Sequence, residues 1–133
     1  NAGLQISAVV SKCLQVVFGE NAYQFRINFQ QKRNKTEAEI VFVRDGKEID
    51  PTEASGGGVV DVTAFALRLA CLILSTPKKR RFLGLDEPFR FLSWNYRPKV
   101  RELLQILSRE LGFQFFIISH DKEFQCGKVI ELD

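Results

Sequence analysis

An α/β fold, with parallel strands flanked by helices and a small antiparallel meander in front, is predicted by three features of this 133-residue sequence. Two short apolar runs end in polar residues: Phe82-Leu83-Gly84-Leu85 runs into Asp86-Glu87, and Ile117-Ile118 into Ser119-His120-Asp121. Each reads as a buried parallel strand, and the carboxyl ends of such strands are where open α/β sheets keep their ligand sites. Between the two runs, Val100, Leu103, Leu104, Leu107 and Leu111 form a helical stripe. Ahead of both, Tyr23, Phe25, Ile27 and Phe29 alternate with Gln24, Arg26, Asn28 and Gln30, the pattern of a half-buried strand.

In chain order, Leu4, Ala8, Val9, Cys13, Val16 and Val17 recur at helical spacing, so residues 3–18 are an amphipathic helix that Gly19 stops. Residues 22–50 form the meander. Its first strand leads through a polar turn at 31–35 to a second strand ending near Val43. Asp45-Gly46 is a hairpin signal before a short strand at Ile49. The pattern changes at Asp50-Pro51. Residues 59–74 are almost wholly apolar and too long for a strand, so they are a buried helix. A basic turn at 77–81 precedes the strand at 82–85. Pro98 opens and Gly112 closes the next helix. Residues 113–118 are the following strand and 128–132 a last one. Strand, helix, strand in this order makes a right-handed crossover unit.

The length fits one domain, 1–133, and a 45% hydrophobic content with twelve Phe implies a packed core rather than disorder. A net charge of +3 permits an anionic partner without demanding one. Cys13, Cys71 and Cys126 are too far apart for a CxxC pair, which argues against zinc. They read as reduced core thiols, hence a reducing compartment. Arg68 interrupts the longest apolar run, so no membrane span is expected, and no signal peptide is visible. The chain has no methionine, even at position 1. That implies a piece of a longer protein, or else a trimmed amino terminus.

Three elements carry candidate chemistry. Asp86 and Glu87 end an apolar strand, where one carboxylate can serve Mg²⁺ and the other an attacking water. The alternative is a solvated turn before Pro88. Ser55-Gly56-Gly57-Gly58 precedes the apolar helix, so its backbone N–H groups and the positive helix end can meet a phosphate. The alternative is a plain loop. His120 lies at the polar end of the neighbouring strand, in reach of a terminal phosphate or a water; the alternative is a structural histidine. Two basic clusters, Lys78-Lys79-Arg80-Arg81 and Arg26, Lys32, Arg33 and Lys35, suit DNA phosphates or simply solvated surfaces.

The order of these elements resembles the second half of an ABC-type ATPase. Ser55-Gly56-Gly57-Gly58 resembles the signature loop and residues 82–87 the Walker B strand. Residues 89–93 resemble the D-loop, and His120 the switch histidine. Residues 49–58 and Asp86-Glu87-Pro88-Phe89 are most similar to DNA double-strand-break repair ATPases of the SMC/SbcC class. The resemblance spans essentially the whole chain and implies a P-loop NTPase-like carboxy-terminal lobe of an ABC head. Residues 1–19 would be the helix re-entering from a coiled coil, 22–50 the meander, and 51–133 the signature, Walker B, D-loop and switch-histidine region. A transporter-type domain fits less well, because the meander precedes the signature without a long helical subdomain. The sequence departs from the pattern at Gly58, where Gln or Glu is common, and at Ser93, where Asp is usual. It contains no G-x-x-x-x-G-K-[ST].

The resemblance implies ATP and Mg²⁺ as ligands, with Glu87 and His120 catalytic. It implies nucleotide contacts from Ser55, Gly56, Gly57, Gly58, Asp86 and Ser93, and metal binding by Asp86. The partners implied are the protein's own amino-terminal lobe with its Walker A loop, a second identical head, DNA and a nuclease subunit, with no membrane. The setting is cytoplasmic or nucleoid-associated. Without Walker A this chain alone would be inactive. The alternative is a catalytically inactive head-pairing or DNA-tethering module. Without the other lobe, part of the sheet and core is expected to be exposed and to drive association.

Overall fold

The computed structural model describes residues 1–54 and 58–132. It contains three helices and five strands: α1 (Ala2–Phe18), β1 (Gln24–Lys32), β2 (Lys35–Arg44), β3 (Lys47–Ile49), α2 (Val59–Ile73), β4 (Phe82–Asp86), α3 (Arg97–Leu111) and β5 (Gln114–Ile118). Single 3₁₀ turns, Trp94–Tyr96 and Lys122–Phe124, follow β4 and β5. β1, β2 and β3 form an antiparallel meander, whereas β4 and β5 pair in parallel through the α3 crossover.

The Asn1 side chain caps α1 by accepting the Gly3 N–H at 2.8 Å, and Gly19 ends the helix with φ 87°. The helix then lies along the free edge of β1. Ser11 Oγ accepts the Phe25 N–H (2.9 Å) and Ser7 Oγ accepts the Ile27 N–H (3.0 Å). Two serines one helical turn apart thus serve two alternate residues of an edge strand that would otherwise present unpaired donors. Close approach requires Gly3, where an added Cβ would stand 3.1 Å from the Ile27 carbonyl oxygen.

The turn expected at 31–35 is tighter than predicted. Lys32 pairs directly with Lys35, and Arg33 (φ 50°) and Asn34 (φ 62°) alone make the bend. Two successive left-handed residues match the right-handed twist of a hairpin, so the strands run further into polar sequence than alternation alone suggests.

One core joins all the layers. Val10 and Leu14 of α1, Phe42 of β2, Leu69 of α2, Val100 of α3 and Phe113 are among its most buried members. The apolar segment 59–74 is a helix, as expected, but not buried all round: Val60, Ala64, Arg68 and Cys71 are exposed along one stripe. The three cysteines are therefore not alike. Cys13 is buried, Cys126 half-buried and Cys71 exposed.

Two expectations for the second sheet need correction. Leu83 and Leu85 are buried, but Phe82, Phe116 and Ile118 on the opposite face are exposed, so the strands are covered on one side only among the described residues. The last strand, expected at 128–132, does not form: residues 129–132 have no regular structure, and Ile130 and Leu132 are exposed. A strand needs a neighbouring ladder, and local hydrophobicity cannot supply one.

Candidate functional site

The β4–β5 ladder brings the two polar strand ends together. Asp86 sits opposite Ile118, and the Glu87 N–H donates to the Ile118 carbonyl at 2.7 Å. The His120 N–H then donates to Glu87 Oε1 at 3.1 Å, and His120 Nε2 lies 3.5 Å from the same oxygen. Glu87 and His120, with Pro88, Phe89, Arg90, Arg97, Ser119, Asp121 and Phe124, line a cleft of about 330 Å³. Its wall therefore carries two carboxylates, two guanidinium groups and the lone imidazole.

The backbone here is strained. Glu87 has φ 43° and Phe89 φ 62°. Left-handed conformations in non-glycine residues cost about 1–3 kcal/mol each and gather at functional sites. Buried aromatic packing holds the bend: the Phe89 ring lies 5.4 Å from Phe65 of α2 and 5.7 Å from Phe124.

Asp86 and Glu87 take different directions. Asp86 continues the exposed alternation of Phe82 and Gly84, whereas Glu87 turns to the cleft beside His120. Divergence of adjacent residues at a strand end is what the period of two dictates. Among the described residues no three His, Cys, Asp or Glu side chains gather as a metal cluster. A lone exposed carboxylate suits Mg²⁺, which commonly takes one or two carboxylates and completes its shell with water and phosphate oxygens.

Of the expected phosphate loop, Ser55, Gly56 and Gly57 lie outside the described residues. Gly58 precedes α2 with φ 94°, and an added Cβ would stand 2.5 Å from Leu92 Cα. Both conformation and space therefore exclude a side chain there. Ser93 does not line the cleft; it opens the Trp94–Tyr96 turn, its carbonyl accepting the Tyr96 N–H at 3.0 Å. It follows Leu92 directly, so the candidate phosphate-loop end and the turn after β4 are neighbours. Asp61, in the first turn of α2, strengthens this junction by accepting the Phe91 N–H at 2.8 Å.

Sequence reasoning missed Arg90, Arg97 and Asp61. Arg97 left a signal: it opens α3, whose first turn holds no acid, although a helix amino end favours negative charge.

No protein-family model matches the chain. Over 45 residues it is 44% identical to the spermidine/putrescine import ATP-binding protein PotA of Mesoplasma florum, covering 34% of this chain and 13% of that protein. In fold it is similar to the SMC head domain from Thermotoga maritima, with a TM-score of 0.63 and 21% identity, over 90% of this chain and 39% of that one. A structure of SMC ATPases concerned with ATP-driven dimerisation and DNA-stimulated activation aligns with a TM-score of 0.64 and 23% identity, over 91% and 70% of the two chains. The chain thus spans well under half of the Thermotoga head. With a parallel strand pair, its crossover helix and an antiparallel meander, this chain has the α/β fold of part of an SMC-type ABC ATPase head.

Proposed function

We propose that this chain is the carboxy-terminal lobe of an ATP-hydrolysing head in a DNA repair or recombination ATPase. The single observation that carries this reading is the contact between strand ends, in which strained Glu87 accepts the His120 N–H. A carboxylate at one strand end beside an imidazole at the next is an arrangement suited to activating water against a phosphate.

On this reading Glu87 orients the attacking water and accepts its proton. His120 donates a hydrogen bond to a γ-phosphate oxygen. Asp86 holds Mg²⁺, which when bound neutralises charge on the phosphates. Ser55 and the backbone N–H groups of Gly56, Gly57 and Gly58 face the nucleotide of a second head, and Ser93 lies at the contact between the two sites. The Walker A loop comes from the amino-terminal lobe of the same protein. ATP-driven pairing of heads is then coupled to DNA and to a nuclease subunit, inside the cell. Among the described residues no helix is long and apolar enough to cross a membrane.

The test is ATP turnover by the complete head. Glu87→Gln should slow hydrolysis roughly 10²- to 10⁴-fold, the usual contribution of a general base, while ATP-dependent pairing persists. Unchanged turnover removes Glu87 from the role of base. Pairing without any wild-type turnover leaves the inactive head-pairing or DNA-tethering module as the better account.

A further inference from the structure

We propose that Arg97 is a positioning residue that clamps the turn after β4 to the turn after β5 and so fixes the contact between Glu87 and His120. The inference rests on the reading of that contact as catalytic. Arg97 Nε and Nη2 both donate to the Leu92 carbonyl, each at 3.3 Å. Its Nη1 pairs with Asp121 Oδ2. One planar guanidinium therefore bridges a backbone oxygen of the first turn and a carboxylate of the second, a fork that an ammonium cannot reproduce.

Asp121 is itself held. Its Oδ1 accepts the Glu123 N–H at 2.9 Å, and its own N–H donates to Ser119 Oγ at 3.0 Å. The pair is only 31% and 21% exposed at its side chains, so it is screened less than a surface ion pair. Arg101 and Glu123 meet at 3.8 Å one helical turn further on, which docks the second turn along the start of α3. The Asp121 carboxylate also supplies the negative charge that the first turn of α3 lacks.

On its far side the first turn is anchored to α2, through Asp61 to Phe91 and through Gly58 against Leu92. Glu87 and His120 stand at the start of the two turns, just past the last rung of the ladder. Beyond that rung the described links between the turns are the Glu87–His120 bonds, the Arg97 bridge and the Phe89–Phe124 packing. Of these, the bridge alone joins both turns to α3.

The test uses the complete head with Arg97→Ala, Arg97→Lys, Asp121→Asn and the Arg97→Ala/Asp121→Asn double variant. Turnover should fall roughly 10- to 100-fold in kcat, the effect of a small misplacement at a reacting group. KM for ATP and ATP-dependent pairing should stay near wild type. Arg97→Lys should recover only part of the loss, and the double variant should lose little more than Arg97→Ala alone. A readout independent of ATP is hydrogen exchange at the His120 amide, which should accelerate while the amides of the α3 interior stay protected. Full kcat in Arg97→Ala, or loss of α3 protection in step with kcat in every variant including Arg97→Lys, overturns the inference. A wild-type head that hydrolyses no ATP defeats the functional reading instead, and the His120 exchange still decides whether the clamp exists.

Discussion

Cys13 shows how far environment separates residues of one type. It lies in the core, and burial pushes its thiol from the ordinary 9.0 up to about 12. The native chain therefore keeps a proton that the unfolded chain loses once pH passes 9.0. Stability from this group is complete below that pH and declines as pH rises from there towards about 12. Thiolate is the reactive form, so a thiol reagent at neutral pH should label exposed Cys71 first and Cys13 only on unfolding, which mass spectrometry of labelled peptides would check. Equal labelling of Cys13 and Cys71 in the native protein would contradict this. At Asp50 the Thr52 hydroxyl and then the Thr52 N–H hold the carboxyl below its usual range. Asp86, Glu87 and His120 were legible as strand-end residues because apolar runs ended on them. The left-handed backbone at Glu87 was not legible, since nothing local favours it and the packing of Phe89 between Phe65 and Phe124 enforces it.

Among the elements, the three helices follow from periodicity and the pairing of β4 with β5 from the strand–helix–strand order, and Gly19 and Gly112 end their helices as glycines do. The approach of α2 to the turn after β4 is different, because it depends on a missing side chain. Gly58→Ala places a methyl group against the Leu92 backbone at positive φ, where alanine already costs more than about 1 kcal/mol. We expect the variant to unfold at lower denaturant concentration and to disturb the amide signals of Phe91 and Leu92 in NMR spectra. Unchanged stability would show that the turn yields freely. The strand expected at 128–132 failed for the opposite reason. Its residues have strand-like hydrophobicity, but among the described residues no ladder receives them.

At the scale of the whole molecule, among the described residues the second sheet is covered on one face only. Phe82, Phe116 and Ile118 together leave an apolar surface beside the end of β4 that carries Asp86. The chain on its own should therefore associate as its concentration rises, and Phe116→Ser should weaken this in sedimentation velocity. A strictly monomeric wild-type chain would refute the expectation. The sequence by itself determined the alternation of elements, the apolar faces and the residues that end each strand, because these depend on spacing along the chain. Only the tertiary structure decided that Glu87 bends back to His120 while Asp86 faces outward, and that Arg97 reaches both Leu92 and Asp121. The Arg97–Asp121 and His120–Glu87 contacts join residues 24 and 33 positions apart, and their partners are chosen by packing that no local pattern encodes.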